Sequence, residues 1–115
     1  MRLGTEWIVD ASGCDPEKLR DPTAVDRFVD AVIEGLALTV LPPRRVHRFP
    51  GEGGITALVL LTESHLALHT FPEHGALTVN LYCCRERPPY AWEAALHASF
   101  GAARVHVVEA PRGVP

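Results

Sequence analysis

The residues best suited to chemistry lie in one short part of the sequence. Six side chains that can carry a proton or attack a carbonyl group fall between positions 63 and 74: Glu63, Ser64, His65, His69, Glu73 and His74. Two adjacent cysteines follow, Cys83 and Cys84. The surrounding segment 55–85 is rich in apolar residues, and polar groups on buried strands need partners or cost free energy. We therefore interpret 55–85 as a catalytic hairpin.

Strand alternation indicates which of these side chains share a face. In residues 76–84 it places Leu77, Val79, Leu81 and Cys83 on one face and Thr78, Asn80, Tyr82 and Cys84 on the other. Cys83 is then a buried small hydrophobe, and Cys84 is the thiol available for chemistry. On the preceding strand, His65 and His69 lie opposite the leucines. If the two polar faces coincide, His69 and Cys84 point into one space.

A histidine and a cysteine on one face fit three kinds of site. A thiol protease pair needs a long substrate cleft, for which so short a chain leaves little room. A zinc site could recruit His65, His69, His74 and Cys84, but their spacing matches no familiar ligand pattern, and we expect no metal. The third interpretation is that these polar residues have structural partners only. The residues alone leave all three open.

The composition predicts one globular domain over 1–115. Hydrophobic residues make up 47% and charged residues 22%, and the net charge is -3. The only basic cluster is Arg44, Arg45 and Arg48, so nucleic acid and anionic membranes are poor candidate partners. Three cysteines, two of them adjacent, argue against a disulfide framework. No apolar run suits a signal peptide or a membrane span, and we expect a soluble, cytoplasmic protein.

Periodicity and turn residues predict the order of the elements. The expected strands are 5–10, 45–49, 55–62, 65–71, 76–84 and 104–109, and the expected helices are 22–36 and 89–100. Asp21-Pro22 is a helix-start signature, and Gly101 is typical of a helix end. This order favours an α/β (α+β) two-layer sandwich, with an antiparallel sheet and both helices packed on one face.

An ordered set of motifs resembles one protein family. The set consists of Glu63-Ser64-His65, His69-Thr70, Pro72-Glu73 with Gly75, and Cys84. It is similar to the self-processing core of the short prokaryotic S-adenosylmethionine decarboxylase proenzymes, which depend on a pyruvoyl group. Three further motifs also resemble that family: His47-Arg48-Phe49, Cys14-Asp15 and the segment 104–109. The resemblance covers most of the chain.

The resemblance implies that the precursor cuts itself between Glu63 and Ser64. The Ser64 hydroxyl attacks the Glu63 carbonyl, and the amide becomes an ester. Elimination of the Glu63 carboxylate leaves a dehydroalanine, which hydrolyses to a pyruvoyl group at position 64. Only serine supplies both the nucleophile and the oxygen that is eliminated. His69 matches the base that removes the α proton of Ser64, and Thr56 stands where a processing hydroxyl is common. The products would be a β chain, 1–63, and an α chain, 64–115.

The resemblance also implies how a small-molecule substrate is handled. The pyruvoyl carbonyl condenses with the substrate amine and draws electrons from it. Cys84 matches the proton donor, Glu73 the carboxylate that holds ribose hydroxyls, and Phe49 the aromatic that meets the adenine or the sulfonium. His65 and Phe71 belong to the same implied pocket. The family further implies a homodimer, with active sites at or near the interface.

Three departures from the family pattern surround the implied pocket. Phe71 replaces a usual tryptophan, Asn80 a frequent aspartate, and Arg85 the glycine that usually follows the cysteine. The expected activity is decarboxylation of S-adenosylmethionine for spermidine biosynthesis. One alternative keeps the pyruvoyl chemistry but acts on L-ornithine or L-arginine. A second alternative is an uncleaved, non-catalytic regulator.

Overall fold

The computed structural model describes residues 1–115 and is built on a six-stranded antiparallel sheet. The strands are β1 (Arg2–Ser12), β2 (Arg45–Arg48), β3 (Ile55–Leu61), β4 (Ser64–Phe71), β5 (Ala76–Cys83) and β6 (Arg104–Gly113). The helices are α1 (Pro16–Leu19), α2 (Pro22–Gly35) and α3 (Trp92–Phe100), with a short 3-10 turn at Pro72–His74. The strand order is β2-β3-β4-β5-β1-β6. The predicted α+β class and antiparallel sheet are confirmed.

The outer parts of the sheet differ most from the expected boundaries. β1 runs to Ser12 instead of ending at 10, and β6 runs to Gly113 instead of ending at 109. The two strands pair along almost their whole length, from Arg2 with Gly113 to Ser12 with Arg104. Pairing of this kind joins residues about a hundred positions apart, so local alternation does not reveal it. The third helix begins at Trp92 instead of 89, after an N-cap residue that offers no side-chain hydrogen bond.

α2 forms where the sequence predicts it because its start and its apolar stripe agree. The Asp21 carboxylate accepts a hydrogen bond from the Thr23 N–H at 2.9 Å, and Pro22 occupies the first helical position. The predicted stripe faces inward, with Val25, Phe28, Val29, Val32 and Leu36 buried. Ile33 lies at the edge of this core.

One core lies between the helices and a single face of the sheet. The sheet contributes alternate residues, Val9, Ala11, Val59, Leu61, Leu66, Leu68, Leu77, Val79 and Leu81, all of them buried. Phe28 of α2 and Phe100 of α3 are fully buried, and their ring centroids are 5.5 Å apart. Burying such rings removes the largest apolar areas from water and holds both helices on this face.

No element of the chain covers the other side of the sheet, which we name the open face. It carries Glu6, Ile8, Asp10, Thr56, Leu58, Leu60, His65, Ala67, His69, Thr78, Asn80, Tyr82, Val108 and Arg112. Ile8, Leu58, Leu60 and Val108 are exposed although they are large and apolar. They form two separate apolar pairs, Leu58 with Leu60 and Ile8 with Val108, divided by the polar side chains of β4 and β5.

Thr70 is a buried polar residue at the end of β4 that joins α1 to the sheet. Its hydroxyl donates to the Leu19 carbonyl at 2.7 Å and accepts from the Ile55 N–H at 2.9 Å. The side chain is 4% exposed. Both backbone groups would lose their partner without this hydroxyl, and buried groups without partners are costly.

We expect Thr70→Val to lower the free energy of unfolding by about 2 kcal/mol, because two buried backbone groups are left unpaired. Urea denaturation followed by circular dichroism measures this change. Thr78→Val is the matched control, since Thr78 lies on the open face of the adjacent strand. Equal midpoints for the two variants would show that the Thr70 hydroxyl contributes little.

Candidate active site

The Glu63-Ser64 peptide lies in a tight turn between β3 and β4. Leu61 pairs with Ser64, so Thr62 and Glu63 form a two-residue connection. Glu63 has φ 60, in the left-handed region that side chains other than glycine rarely adopt. Such a conformation costs on the order of 1 kcal/mol and persists only where surrounding contacts hold it. The peptide predicted to be cut is therefore a strained one.

Contacts from the end of β5 hold this turn. The Cys84 N–H donates to the Glu63 carbonyl oxygen at 3.3 Å. Arg85 Nε donates to the Glu63 carboxylate at 3.0 Å, although both side chains are largely exposed and such pairs are weak. The Ser64 hydroxyl donates to the Thr62 carbonyl at 3.2 Å. The N–H on the Glu63 carbonyl is placed where it would stabilise an oxyanion formed by attack on that carbon.

The two adjacent cysteines lie in different surroundings. Cys83 is fully buried on the core face of the sheet, and its partner on the neighbouring strand β4 is Ser64. Cys84 is exposed. Burial raises the pKa of the Cys83 thiol, and the nearby Arg87 guanidinium and Ser64 hydroxyl oppose that shift. The prediction that Cys83 belongs to the core and that Cys84 is the available thiol is confirmed.

A second group of candidate residues lies at the other end of β4. Thr56 Oγ1 and His69 Nδ1 form a 2.9 Å hydrogen bond between β3 and β4. They line a cavity of about 280 Å³ whose wall also includes Phe49, Phe71 and Glu73. The structure thus brings five of the predicted site residues together here. Phe49 is held by an edge-on contact with His47, with ring centroids 4.4 Å apart.

The group around Ser64 and the group around His69 lie on one sheet but far apart. Ser64 is opposite Cys83 and His69 is opposite Thr78, five residues further along the strand. At about 3.3 Å per residue this separates Ser64 from His69 by about 17 Å. The expectation that His69 and Cys84 point into one space is wrong for a single chain. Alternation correctly gives a shared face, but it does not give the position along the strand.

A third group surrounds the end of β4 that carries Ser64. A cavity of about 400 Å³ is lined by Leu3, Glu6, His65, Tyr82, Arg112 and Gly113. Hydrogen bonds from Asn80 and Arg112 hold the pKa of the Glu6 carboxyl below its usual range. Removal from water and the neighbouring Cys84 thiol raise the pKa of Tyr82.

Sequence reasoning missed Glu6, Tyr82 and Arg112 as candidate site residues. Glu6 and Arg112 are 106 positions apart and meet only because β1 and β6 pair. No local motif marks either residue, since each occupies an ordinary polar position on an alternating strand. Tyr82 lies two residues before Cys84 and shares its face, which is the one signal that could have indicated it.

Neither membrane-spanning helices nor metal clusters are found. No helix has both the length and the apolar composition needed to span a bilayer. No three His, Cys, Asp or Glu side chains are placed together so that they could hold a metal ion.

The fold and the site together define the class of protein, an α+β enzyme whose candidate site residues lie on and around the open face of its sheet. The family model described as S-adenosylmethionine decarboxylase matches residues 5–113. The chain belongs to the S-adenosylmethionine decarboxylase family, as the motifs predict.

Individual relatives are similar over almost the whole chain. S-adenosylmethionine decarboxylase proenzyme 2 of Halalkalibacterium halodurans is 35% identical, over 97% of this chain and 87% of its own. The proenzyme of Moorella thermoacetica is 38% identical, with 97% and 89% covered. The crystal structure of the adenosylmethionine decarboxylase from Aquifex aeolicus superposes with a TM-score of 0.83 at 26% identity, covering 99% of this chain and 93% of the other.

We expect iodoacetamide to modify one thiol per folded chain, that of Cys84, because Cys14 and Cys83 are buried. Burial also raises the pKa of both buried thiols, which lowers their reactive thiolate fraction at a given pH. Intact-mass spectrometry counts the labels before and after unfolding in urea. Cys84→Ser is the control and should take no label while folded. Rapid labelling of two thiols in the folded protein would contradict the assigned burial.

Proposed function

We propose that this protein is a self-processing, pyruvoyl-dependent decarboxylase that acts on S-adenosylmethionine and supplies aminopropyl groups for spermidine biosynthesis. The proposal is supported by relatives whose names state both this substrate and a proenzyme. The observation that carries it is the Glu63-Ser64 peptide, strained at Glu63 and hydrogen-bonded at its carbonyl oxygen by the Cys84 N–H. These residues fit the formation of a pyruvoyl group at position 64.

Self-cleavage begins with attack of the Ser64 hydroxyl on the Glu63 carbonyl carbon. The carbonyl oxygen gains negative charge, and the Cys84 N–H stabilises it. The C–N bond then breaks, so the amide becomes an ester and the left-handed turn at Glu63 is released. His69 removes the α proton of Ser64, and the ester oxygen leaves as part of the new Glu63 carboxylate. The dehydroalanine left at position 64 takes up water and releases ammonia, which gives the pyruvoyl carbonyl. The products are the β chain, 1–63, and the α chain, 64–115.

In the mature enzyme the group at position 64 supplies an electron-withdrawing carbonyl for the decarboxylation. Cys84 is exposed and delivers a proton to the substrate α carbon. The Tyr82 hydroxyl donates to the Leu3 carbonyl oxygen at 3.4 Å, on the same face of β5 as Cys84. Phe49, Phe71 and Glu73 form a pocket with an aromatic wall and a carboxylate, which suits an adenosyl group.

This assignment requires a homodimer, because the pocket and Ser64 lie at opposite ends of β4. Within one chain His69 is about 17 Å from Ser64, which is far beyond proton-transfer distance. We propose that two copies pack open face to open face in antiparallel orientation, which would bring the His69 end of one chain to the Ser64 end of the other. The exposed Ile8, Leu58, Leu60 and Val108 give that contact an apolar surface.

The cellular setting and the alternatives follow from the same features. Three free cysteines fit a reducing compartment, so we place the enzyme in the cytoplasm.

The comparisons favour S-adenosylmethionine over L-ornithine or L-arginine, and an enzyme over an uncleaved regulator. Release of labelled carbon dioxide from each of the three substrates tests the choice. Turnover of ornithine or arginine alone would refute the assigned substrate.

We expect Ser64→Ala to remain one chain without decarboxylase activity, because alanine has no hydroxyl to attack Glu63. Cys84→Ala should still be cut but should decarboxylate at least 100-fold more slowly, about the usual contribution of a proton donor. Denaturing gels and carbon dioxide release measure the two effects. Cys14→Ala is the control and should retain activity, since Cys14 is buried in the core and does not pair with Ser64. Full activity of Cys84→Ala would remove that residue from its role.

We expect chains with complementary defects to rescue each other if His69 acts across the dimer. His69→Ala alone should stay whole, because Ser64 lacks its base. Co-expressed with a tagged Ser64→Ala chain, the His69→Ala chain should be cut in mixed dimers, where an intact His69 faces an intact Ser64. Mass spectrometry of the affinity-purified mixed dimer detects the fragments.

The control replaces the tagged chain with the double variant Ser64→Ala, His69→Ala, which should give no rescue. Cutting of His69→Ala by itself would show that His69 is not the base. Absence of cutting in isolated mixed dimers would show that His69 does not act from the opposite chain.

A further inference from the structure

Four strands contribute to a chain of polar groups beside Ser64. Arg112 of β6 donates to Oε1 of Glu6 on β1. Asn80 of β5 donates through Nδ2 to Glu6 Oε2 at 2.7 Å. The Asn80 Oδ1 lies 3.0 Å from Nε2 of His65 on β4. The ring of His65 stacks on Tyr82, with centroids 5.9 Å apart and an interplanar angle of 24°.

The chemistry of Glu6 fixes the orientation of Asn80. An ionised carboxylate only accepts hydrogen bonds, and Glu6 forms an ion pair with Arg112. The Asn80 group that faces Glu6 must therefore be the NH₂. The opposite end of the amide is then the oxygen, which only accepts. His65 must donate through Nε2, because two acceptors cannot share a hydrogen bond.

The other ring nitrogen of His65 is left without a proton in the neutral form. A neutral imidazole carries one N–H, and here Nε2 holds it, so Nδ1 presents a lone pair. No protein group hydrogen-bonds to Nδ1 in the structure. His65 is exposed, lines the 400 Å³ cavity and directly follows Ser64.

The charged and titratable groups around His65 are few. Tyr82 and Cys84 lie on the β5 side, Glu6 on β1 and Arg112 on β6. On β3 the residue opposite is Leu60, which does not titrate. Glu6 and Arg112 form an ion pair with each other. The side chain in direct contact with Nε2 is the uncharged amide of Asn80.

We propose that Glu6 and Asn80 are positioning residues that hold His65 in its Nε2–H form, so that Nδ1 accepts a proton from the ammonium group of an amino-acid substrate. The proposal rests on the proposed function and assigns one of its steps. The N–H bond of the ammonium group breaks, its electron pair stays on nitrogen, and the proton moves to Nδ1. The result is an imidazolium and an uncharged amine, which is the nucleophilic form required next to position 64.

Asn80 differs from an aspartate in the charge that it places on Nε2 of His65. An aspartate there would put negative charge directly on Nε2 and favour the imidazolium, which cannot accept a further proton. Asn80 keeps the hydrogen bond that orients the ring without adding this charge.

The first test uses the uncleaved full chain, Ser64→Ala, and nitrogen-15 NMR of the histidine rings. We expect His65 to show a protonated Nε2 and an unprotonated Nδ1, with a ring N–H that exchanges slowly with water. Adding Asn80→Ala should abolish the slow exchange, whereas the control Thr78→Ala, the next position on the same face, should not. Adding Asn80→Asp should move the His65 titration midpoint upward by about one pH unit.

A protonated Nδ1, or unchanged exchange and titration in the Asn80 variants, would overturn the proposal. These readouts need no catalytic activity, so they are independent of the proposed reaction. In the mature enzyme, Asn80→Asp should move the acidic limb of kcat/KM to higher pH by the same amount. His65→Gln, which can accept a hydrogen bond but not a proton, should lower kcat/KM about 100-fold.

An unmoved pH profile together with the expected NMR result would show that His65 is positioned but does not take the proton, which also overturns the proposal. Absence of carbon dioxide release by the wild-type protein would instead refute the proposed function, and the NMR result would still decide the tautomer. The two failures are therefore distinguishable.

Discussion

The hydrogen bond between the Cys84 N–H and the Glu63 carbonyl oxygen is the contact on which the rest of the site depends. It joins the β3–β4 turn to the end of β5, and it holds Glu63 in a backbone conformation that an isolated chain would avoid. The same contact points a donor at the carbonyl group that Ser64 would attack. The Glu63-Ser64 peptide is therefore both strained and placed beside a donor that would stabilise an oxyanion. This is possible because β3, β4 and β5 end or turn at the same place.

The fixed spacing of residues along a β-strand constrains the distance between the two ends of β4. A β-strand holds its residues at fixed spacing, so Ser64 and His69 cannot approach each other without breaking β4. Helices cover one face of the sheet and leave exposed apolar residues on the other. The proposed reaction uses both ends of β4, and it would therefore draw on a second copy of the sheet. The two-layer arrangement thus leaves one face of the sheet uncovered, and the length of β4 separates the candidate residues at its two ends.

Two of the three departures from the family pattern have partners in this structure. Asn80 bridges Glu6 and His65, where a carboxylate would face the Glu6 carboxylate. Arg85 pairs with Glu63 across the turn, a weak contact because both groups are exposed to solvent. Phe71 keeps an aromatic ring in the wall of the Thr56–His69 cavity. Each substitution thus fits the local chemistry of its own neighbours.

The sequence by itself determined the element types, the core stripe of α2, the burial of Cys83 and the exposure of Cys84. These follow from local periodicity, which depends only on residues a few positions apart. The ordered motifs around Ser64 also identified the family. Only the tertiary structure decided that Glu6 and Arg112 reach the site, that β1 and β6 pair to their ends, and that His69 lies far from Cys84. Those facts depend on strand order and register, which are set by packing among residues distant in the chain.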